Sequence, residues 1–157
     1  MREVAIKLRF LQPCLGSHLH KQSGETSLYR LPRTSGGEPR VMLLTAWWRA
    51  IMRFAAATHN IAAETVDSIA WDPVVTGKRG RYRRFVDAPK DGKRRYAMHE
   101  AFMPGAVVGV NAVLPDSLDT DLFWRMLDHA GRYRGISPYK PGVFGHFEVM
   151  EVRARKS

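Results

Sequence analysis

The side chains best suited to bind a ligand are basic and aromatic residues interleaved within residues 78–95. Nine residues of this segment are basic, and only Asp87 and Asp91 are acidic. Cationic groups contact phosphates and aromatic rings stack on bases, so the combination is the usual means of holding a single strand without reading its sequence. The residues expected to contact nucleic acid are Lys78, Arg79, Arg81, Tyr82, Arg83, Arg84, Lys93, Arg94 and Arg95, with Phe85 and Tyr96 as further stacking candidates. A solvated hairpin without a ligand is the alternative interpretation.

A second candidate site is the glycine-rich stretch GRYRGISPYKPGVFGHFEVMEV, residues 131–152. Glycine permits backbone angles and close approaches that other residues do not, and a basic loop of this kind leading into a strand can hold a phosphate backbone. The residues expected to take part are Arg132, Arg134, Gly135, Tyr139, Lys140, Gly142 and Gly145. The stretch is equally compatible with an ordinary helix-to-strand connection in which Gly131 ends the helix and two prolines shape the turns.

Two histidines are the candidates for catalysis. His18 and His20 lie close to Lys21 and precede Arg30. A histidine of near-neutral pKa can activate an RNA 2′-hydroxyl while a cation holds the phosphate, which is the chemistry of a metal-independent endoribonuclease. Solvated loop histidines without a role are the alternative. No carboxylate pair or cysteine nearby completes a metal site, and the chain has no Ser-His-Asp order, Walker loop or nucleotide fingerprint, so no metal or cofactor is expected.

The composition bounds the class of protein. A formal net charge of +10 and a sequence pI near 10.3 favour an anionic partner, most often nucleic acid. The length of 157 residues suits one domain with a real core. Cys14 is the single cysteine, which excludes an internal disulfide and favours a reducing cytoplasm. No apolar run approaches about 18 residues, and the charged N-terminus is unlike a secretory signal, so no membrane partner is expected.

Hydrophobic periodicity predicts strands and helices in a regular order. Residues 3–11 alternate as in a half-buried strand, and residues 12–40 form a long loop with a short strand near residues 28–31. A helix follows through residues 46–60, with Thr45 as its expected cap. The later predictions are a strand at residues 65–75, a basic hairpin at 78–102, a strand at 106–114, a helix beginning at Asp116 or Ser117 and ending at Gly131, a strand at 143–152 and a disordered tail at 153–157.

This order of elements indicates an α+β protein of the ferredoxin-like, RRM-like type. In that βαββαβ arrangement an antiparallel sheet of four strands carries both helices on one face. We expect one domain over residues 1–157, with residues 78–102 as a basic hairpin insertion. RNA-binding RRM domains share the architecture and use the open face of the sheet, although the fold alone assigns no function.

Three stretches of the chain together resemble one known family. LRFLQPCLGSHLHKQSG is similar to a first strand and the loop after it, and GRYRGISPYKPGVFGHFEV to a glycine-rich loop before the final strand. VMLLTAWWRAIMRFAA is similar to the beginning of a first helix that carries an arginine about one turn in, here Arg49 or Arg53. The family is the RAMP superfamily, the RRM-like proteins of CRISPR RNA complexes.

The resemblance implies a specific role for the basic hairpin. Residues 78–102 lie where backbone-type members carry a thumb hairpin, and those members grip guide RNA and stack into filaments along it. Arg49 and Arg53 join the candidate RNA contacts on the same basis. Some endoribonucleases of the superfamily carry a general base in the first loop, which is where His18 and His20 lie.

We therefore expect a non-catalytic subunit that holds guide or other single-stranded RNA in a CRISPR-type ribonucleoprotein. Its expected partners are RNA, other protein subunits and, along the RNA, copies of itself. Two alternatives stay open: a metal-independent endoribonuclease that uses His18 or His20, and a basic module that binds an acidic protein surface. Trp47, Trp48 and Trp124 would suit a protein interface, since tryptophans are common interface anchors.

Overall fold

The computed structural model describes residues 1–16, 18–19, 26–30, 40–86, 95–137 and 143–155. The strands are β1 (Arg2–Phe10), β2 (Cys14–Leu15), β3 (His18–Leu19), β4 (Thr26–Ser27), β5 (Tyr29–Arg30), β6 (Val41–Met42), β7 (Ala70–Trp71), β8 (Gly80–Val86), β9 (Arg95–Phe102), β10 (Val107–Leu114) and β11 (Phe147–Ala154). The helices are α1 (Thr45–Thr58), α2 (Ala63–Asp67) and α3 (Thr120–Tyr133). Within these residues, no helix has the length and apolar character needed to cross a membrane.

The main sheet has the strand order β11-β1-β10-β7, and every neighbouring pair is antiparallel. The alternating pattern of the first strand accounts for its central place, because one face of β1 is buried and the other is solvated. Its buried positions are Val4, Ile6, Leu8 and Phe10. The α+β expectation is confirmed, and this strand order is consistent with a ferredoxin-like fold.

The two long helices pack against each other and cover the buried face of the sheet. Trp48 of α1 is fully buried and stacks on Trp71 of β7, with ring centroids 4.6 Å apart and planes 9° from parallel. Trp48 is therefore a core residue, and the expectation that it anchors a protein interface is wrong. Trp47 and Trp124 are partly buried and pack against the rim of the same core.

Residues 65–75 do not form the single strand that the sequence predicted. Helix α2 occupies residues 63–67, and Val66 and Ile69 are both buried at a spacing that suits a helical turn. The carbonyl of Glu64 accepts hydrogen bonds from both the amide and the hydroxyl of Ser68, which close that turn. The strand proper is only β7, because Asp72 then accepts the Val74 amide at 2.9 Å in a local turn.

The ends of the helices differ from the sequence prediction by a few residues. Asp119, rather than Asp116 or Ser117, is the N-cap of α3, and its carboxylate accepts the Leu122 amide at 2.7 Å. The helix also continues beyond Gly131 to Tyr133 because Gly131 is buried against Phe147 rather than placed at a turn.

Other element boundaries also differ from the sequence prediction. The N-cap position of α1 is Leu44, with no side-chain cap, so Thr45 is the first helical residue. The last strand begins at Phe147 instead of residue 143, and it includes Arg153 and Ala154, which the sequence placed in a disordered tail. These two residues pair with Ala5 and Val4 of β1, and this pairing accounts for their order.

Replacing Asp119 by alanine is expected to lower the free energy of unfolding by about 1 kcal/mol, since an N-cap carboxylate satisfies an otherwise unpaired helix amide. Thr45→Ala is the matched control at the other helix, where no side-chain cap bond exists, and it should change stability by less than about 0.5 kcal/mol. Urea denaturation of the two variants measures the difference. Equal losses would show that Asp119 does not act as a cap.

Candidate nucleic-acid interface

The basic segment forms a long antiparallel hairpin from β8 and β9. The register runs from Gly80 opposite Ala101 to Val86 opposite Arg95. Because side chains alternate across a strand, the hairpin has two distinct faces. We call the face with Arg81, Arg83 and Tyr96 the outer face, and the face with Tyr82, Arg84 and His99 the inner face.

The outer face presents exposed cations beside an exposed ring. Arg81 and Arg83 are exposed, and Tyr96 is 43% exposed. The guanidinium carbon of Arg83 lies 4.1 Å from the centroid of the Tyr96 ring, which is a cation–π contact. Lys78 and Arg81 have no ion-pair partner among the described residues. This face therefore offers phosphate contacts and a flat surface for a base side by side.

The inner face is held against the rest of the protein through His99. This side chain is 1% exposed, its Nδ1 is 2.9 Å from the carbonyl oxygen of Gly16, and its Nε2 accepts a hydrogen bond from Arg84 Nε at 3.3 Å. Burial lowers the pKa of His99, and the Arg84 charge lowers it further against the opposing effect of the Gly16 bond. The neutral imidazole, with its proton on Nδ1, satisfies both contacts.

The root of the hairpin, which is the end of β9 at Ala101 and Phe102, is buried in the core. Phe102, the last residue of β9, stacks on Phe10 of β1 with ring centroids 5.7 Å apart, and it pairs with Cys14 of β2. Complete burial raises the pKa of the Cys14 thiol, so this cysteine is a packing residue rather than a reactive one. The end of the hairpin at Phe102 is thus packed into the core, while β8 carries exposed cations.

A carboxylate joins the hairpin root to the chain after β4. Glu100 accepts the amide of Leu28 at 3.0 Å and forms an ion pair with Arg79 at 3.6 Å. The amide of Gly16 also bonds to the Glu100 carbonyl at 2.8 Å. Arg79 therefore supports the root, whereas the exposed cations further along β8 extend away from it.

The glycine-rich stretch meets the inner face of the hairpin. Tyr82 and Phe144 make an edge-to-face contact with ring centroids 5.7 Å apart. Gly135 and Gly145 are buried with φ of 77° and 82°, and the amide of Ile136 bonds to the Gly145 carbonyl at 2.9 Å. A Cβ on Gly145 would lie 1.9 Å from the Ile136 oxygen. These two glycines let the chain at residues 135–136 approach the chain at residue 145, and we call this close approach the neck of the loop. Their contact with a phosphate stays a prediction.

Four of the candidate arginines lie outside the two strands of the hairpin. Arg53 forms two hydrogen bonds with Asp67, at 2.8 and 2.6 Å, which lower the pKa of that carboxyl group. Arg49 is exposed on the same helix. The other two join α3 to its neighbours: Arg132 bonds to Asp128 and Glu148, and Arg134 donates to the Ala50 carbonyl. No hydrogen bond or ion pair in the described part of the chain joins these four arginines to Arg81 or Arg83, and their contact with RNA stays a prediction.

Several predicted site residues cannot be placed. Those outside the described residues are His20, Lys21, Lys93, Arg94, Tyr139, Lys140 and Gly142. The backbones of His18, Arg30, Phe85 and Arg95 lie in strands, and their side chains are outside the description. The roles proposed for all of these residues stay predictions.

Sequence reasoning missed the part that His99 plays. The contacts of His99 are not visible in the sequence, because Gly16 and Arg84 are 83 and 15 residues away along the chain. The alternation of β9 was the available signal, since it places His99 on the face opposite Met98 and Tyr96. No group of histidine, cysteine or carboxylate side chains in the described ranges is arranged to hold a metal ion.

The open face of the main sheet differs from an RRM binding surface. An ion pair between Lys7 and Glu151 at 3.9 Å joins β1 to β11, and Arg153 pairs with Glu151 at 2.6 Å within β11. The outward positions of β1 and β10 carry no aromatic side chain. Stacking groups are found on the hairpin instead, which makes the hairpin the better candidate for nucleic-acid contact.

Comparison with known proteins gives a likeness of fold. No family model and no curated protein matches the chain. Among solved structures, it is similar to a chain of the Type III-B Cmr-beta complex, determined by cryo-EM bound to cognate target RNA. The TM-score is 0.65 at 10% sequence identity, and the similarity covers 99% of this chain and 61% of that chain. At this identity the likeness is evidence of a similar fold alone. The protein spans about three-fifths of the length of that chain.

Proposed function

We propose that this protein is a non-catalytic RNA-binding subunit of a CRISPR-type ribonucleoprotein and that it holds guide or other single-stranded RNA. The observation that carries the proposal is the outer face of the hairpin, where exposed Arg83 lies over the ring of Tyr96 and exposed Arg81 lies on the same face. Phosphates would contact the cations and an unstacked base the ring, and such contacts favour a single strand over a duplex.

The fold supports the same proposal. We assign β1, α1, β7, β10, α3 and β11 to the successive elements of a βαββαβ unit, with the hairpin as an insertion between its second and third strands. The structural neighbour comes from a type III-B complex bound to target RNA. We infer that the chain is RAMP-like and that it acts in the cytoplasm with RNA and other protein subunits as partners. This interpretation accounts for both the similar fold and the basic hairpin.

Analysis of the purified protein for bound RNA tests the proposal. We expect the protein to carry RNA, detected by an absorbance ratio typical of nucleic acid and by loss of that signal after ribonuclease but not deoxyribonuclease treatment. Stripped of RNA at high salt, it should bind a fluorescein-labelled oligouridylate more tightly than a duplex RNA of the same length. Absence of binding to either probe at low salt would refute the proposal and favour a module that binds an acidic protein surface.

The same sample separates binding from cleavage. A binding subunit leaves the labelled RNA intact in EDTA. Cleavage in EDTA that is lost in His18→Ala or His20→Ala variants would replace the proposal with a metal-independent endoribonuclease.

A further inference from the structure

A concave site of about 200 Å³ lies on the open face of the main sheet, near the beginning of β1. Residues from four neighbouring segments of the sheet converge there. Those that line it are Glu3, Ala70, Asp72, Asn111, Val113 and Arg155. The basic hairpin contributes no residue to this lining, so the site is distinct from the proposed RNA contact.

Backbone pairing fixes the walls and the floor of this site. Glu3 pairs with Val113, which pairs in turn with Ala70, so these three residues form one row across β1, β10 and β7. The amide of Asp72 donates to the Asn111 carbonyl at 2.9 Å. Because Ala70 and Val113 have shorter side chains than the polar residues around them, they give the concavity an apolar floor.

The polar groups around the site lack the partners that other charges on this face have. Glu151, for example, is paired with Lys7. Among the described residues, neither Glu3 nor Asp72 forms an ion pair, and the side chain of Asn111 makes no hydrogen bond. Asp72 uses only one carboxylate oxygen, in a local turn. The site therefore offers two carboxylates and an amide oxygen as acceptors.

The charge of the site is opposite to that of the whole chain. Two carboxylates outweigh the single guanidinium of Arg155, whereas the chain carries a formal net charge of +10. This lining repels a phosphate and attracts a cation. The volume is below the roughly 300 Å³ at which pockets for small molecules begin, so it suits one side chain.

A guanidinium fits this set of acceptors better than an ammonium group does. It presents five N–H donors in one plane, enough to reach two carboxylates and an amide oxygen together. The methylene groups of an arginine pack on apolar surface while its charged end contacts polar groups. Ala70 and Val113 provide that apolar surface.

We propose that this concavity is the anchor point of a protein partner, which inserts an arginine side chain between Glu3 and Asp72. The guanidinium donates to both carboxylates and to Asn111 Oδ1, and its methylene stem lies on the apolar floor. Arginine is among the commonest interface anchors. Arg155 opposes the incoming charge and so limits the affinity. The proposal does not depend on RNA binding, because the hairpin takes no part in the site.

Nuclear magnetic resonance titration of the ¹⁵N-labelled full chain with N-acetyl-L-arginine amide tests the proposal at low salt. This probe carries the side chain and two peptide groups without terminal charges. The side-chain amide of Asn111 and the backbone amides of residues 70–72 and 111–113 should shift, with a Kd on the order of 1 mM. The neutral control, N-acetyl-L-glutamine amide, should cause no saturable shift.

Substitutions should change the affinity in opposite directions. Glu3→Gln and Asp72→Asn each remove one negative charge and should weaken binding about fivefold, whereas Arg155→Gln should strengthen it about twofold. A gain of affinity is not expected from damage to the fold. The matched control is Glu151→Gln, which removes a paired carboxylate of the same face and should leave the affinity within about twofold of the wild type.

Three results would overturn the proposal. They are the absence of shifts at these residues with about 20 mM probe, equal shifts with the neutral control, and tighter binding of free L-arginine than of the blocked residue. The last result would assign the site to a small molecule instead of a chain segment. The spectrum of each variant shows whether it is folded. Probe binding by a chain that does not bind RNA would refute only the proposed function.

Discussion

Replacing Lys78, Arg81 and Arg83 by alanine together is expected to weaken oligouridylate binding about a hundredfold and to flatten its salt dependence. The three side chains are exposed and have no anionic partner in the described part of the chain. Each phosphate contact on a single strand contributes about 0.7 to the slope of log affinity against log salt, so the slope should fall by about 2. Anisotropy titrations at several salt concentrations measure both quantities.

The matched control removes the same charge elsewhere. Arg125 lies on α3, Arg153 on β11 and Arg155 just after β11, and the last two are near the N-terminal end of β1. The hairpin root contacts the opposite end of β1 at Phe10. Alanine at the three control positions should reduce affinity only slightly. Similar losses in the two triple variants would mean that net charge, and not the hairpin, attracts the RNA.

Gly145→Ala is expected to lower the free energy of unfolding by more than about 3 kcal/mol and to prevent folding at elevated temperature. Two costs combine at this position. The residue has φ of 82°, which costs an alanine about 1 to 2 kcal/mol, and the added Cβ would lie 1.9 Å from the carbonyl oxygen of Ile136. The backbone must move apart at the neck of the loop, with loss of the Ile136 to Gly145 hydrogen bond.

Gly105→Ala separates the two costs. Gly105 has a similar φ of 88°, but a Cβ there would meet no atom within 4 Å. Its replacement should cost about 1 to 2 kcal/mol, the strain alone. Chemical denaturation of both variants gives the difference, which is the energy of the close approach. If the two losses were equal, the glycine at position 145 would be required only for its backbone angle, and the loop neck would be looser than the geometry indicates.

Local patterns determined much of the architecture. Strict alternation in β1 specifies a strand with one buried face, and the nearly continuous apolar run of β10 also specifies a strand, although only one of its faces is buried in the structure. The apolar stripes of α1 and α3 specify helices in the same way. The density of arginine in residues 78–95 predicted an exposed hairpin, since that many cations cannot be buried without partners.

Contacts between distant segments decided the rest. Residues 63–71 carry a pattern that fits a strand or a helical turn, and only packing of Val66 and Ile69 into the core selected the helix of residues 63–67. Composition made Gly145 a candidate for phosphate contact, which stays a prediction, and only the structure shows that its neighbour across the neck of the loop is Ile136.

The sequence by itself thus determined that the chain folds as an α+β protein with a basic arm, because periodicity and charge are properties of short segments. Only the tertiary structure decided that His99 joins this arm to Gly16. The reason is physical: hydrogen-bond geometry depends on where separate strands meet, and residues 16, 84 and 99 come together only when β2, β8 and β9 are assembled into one sheet.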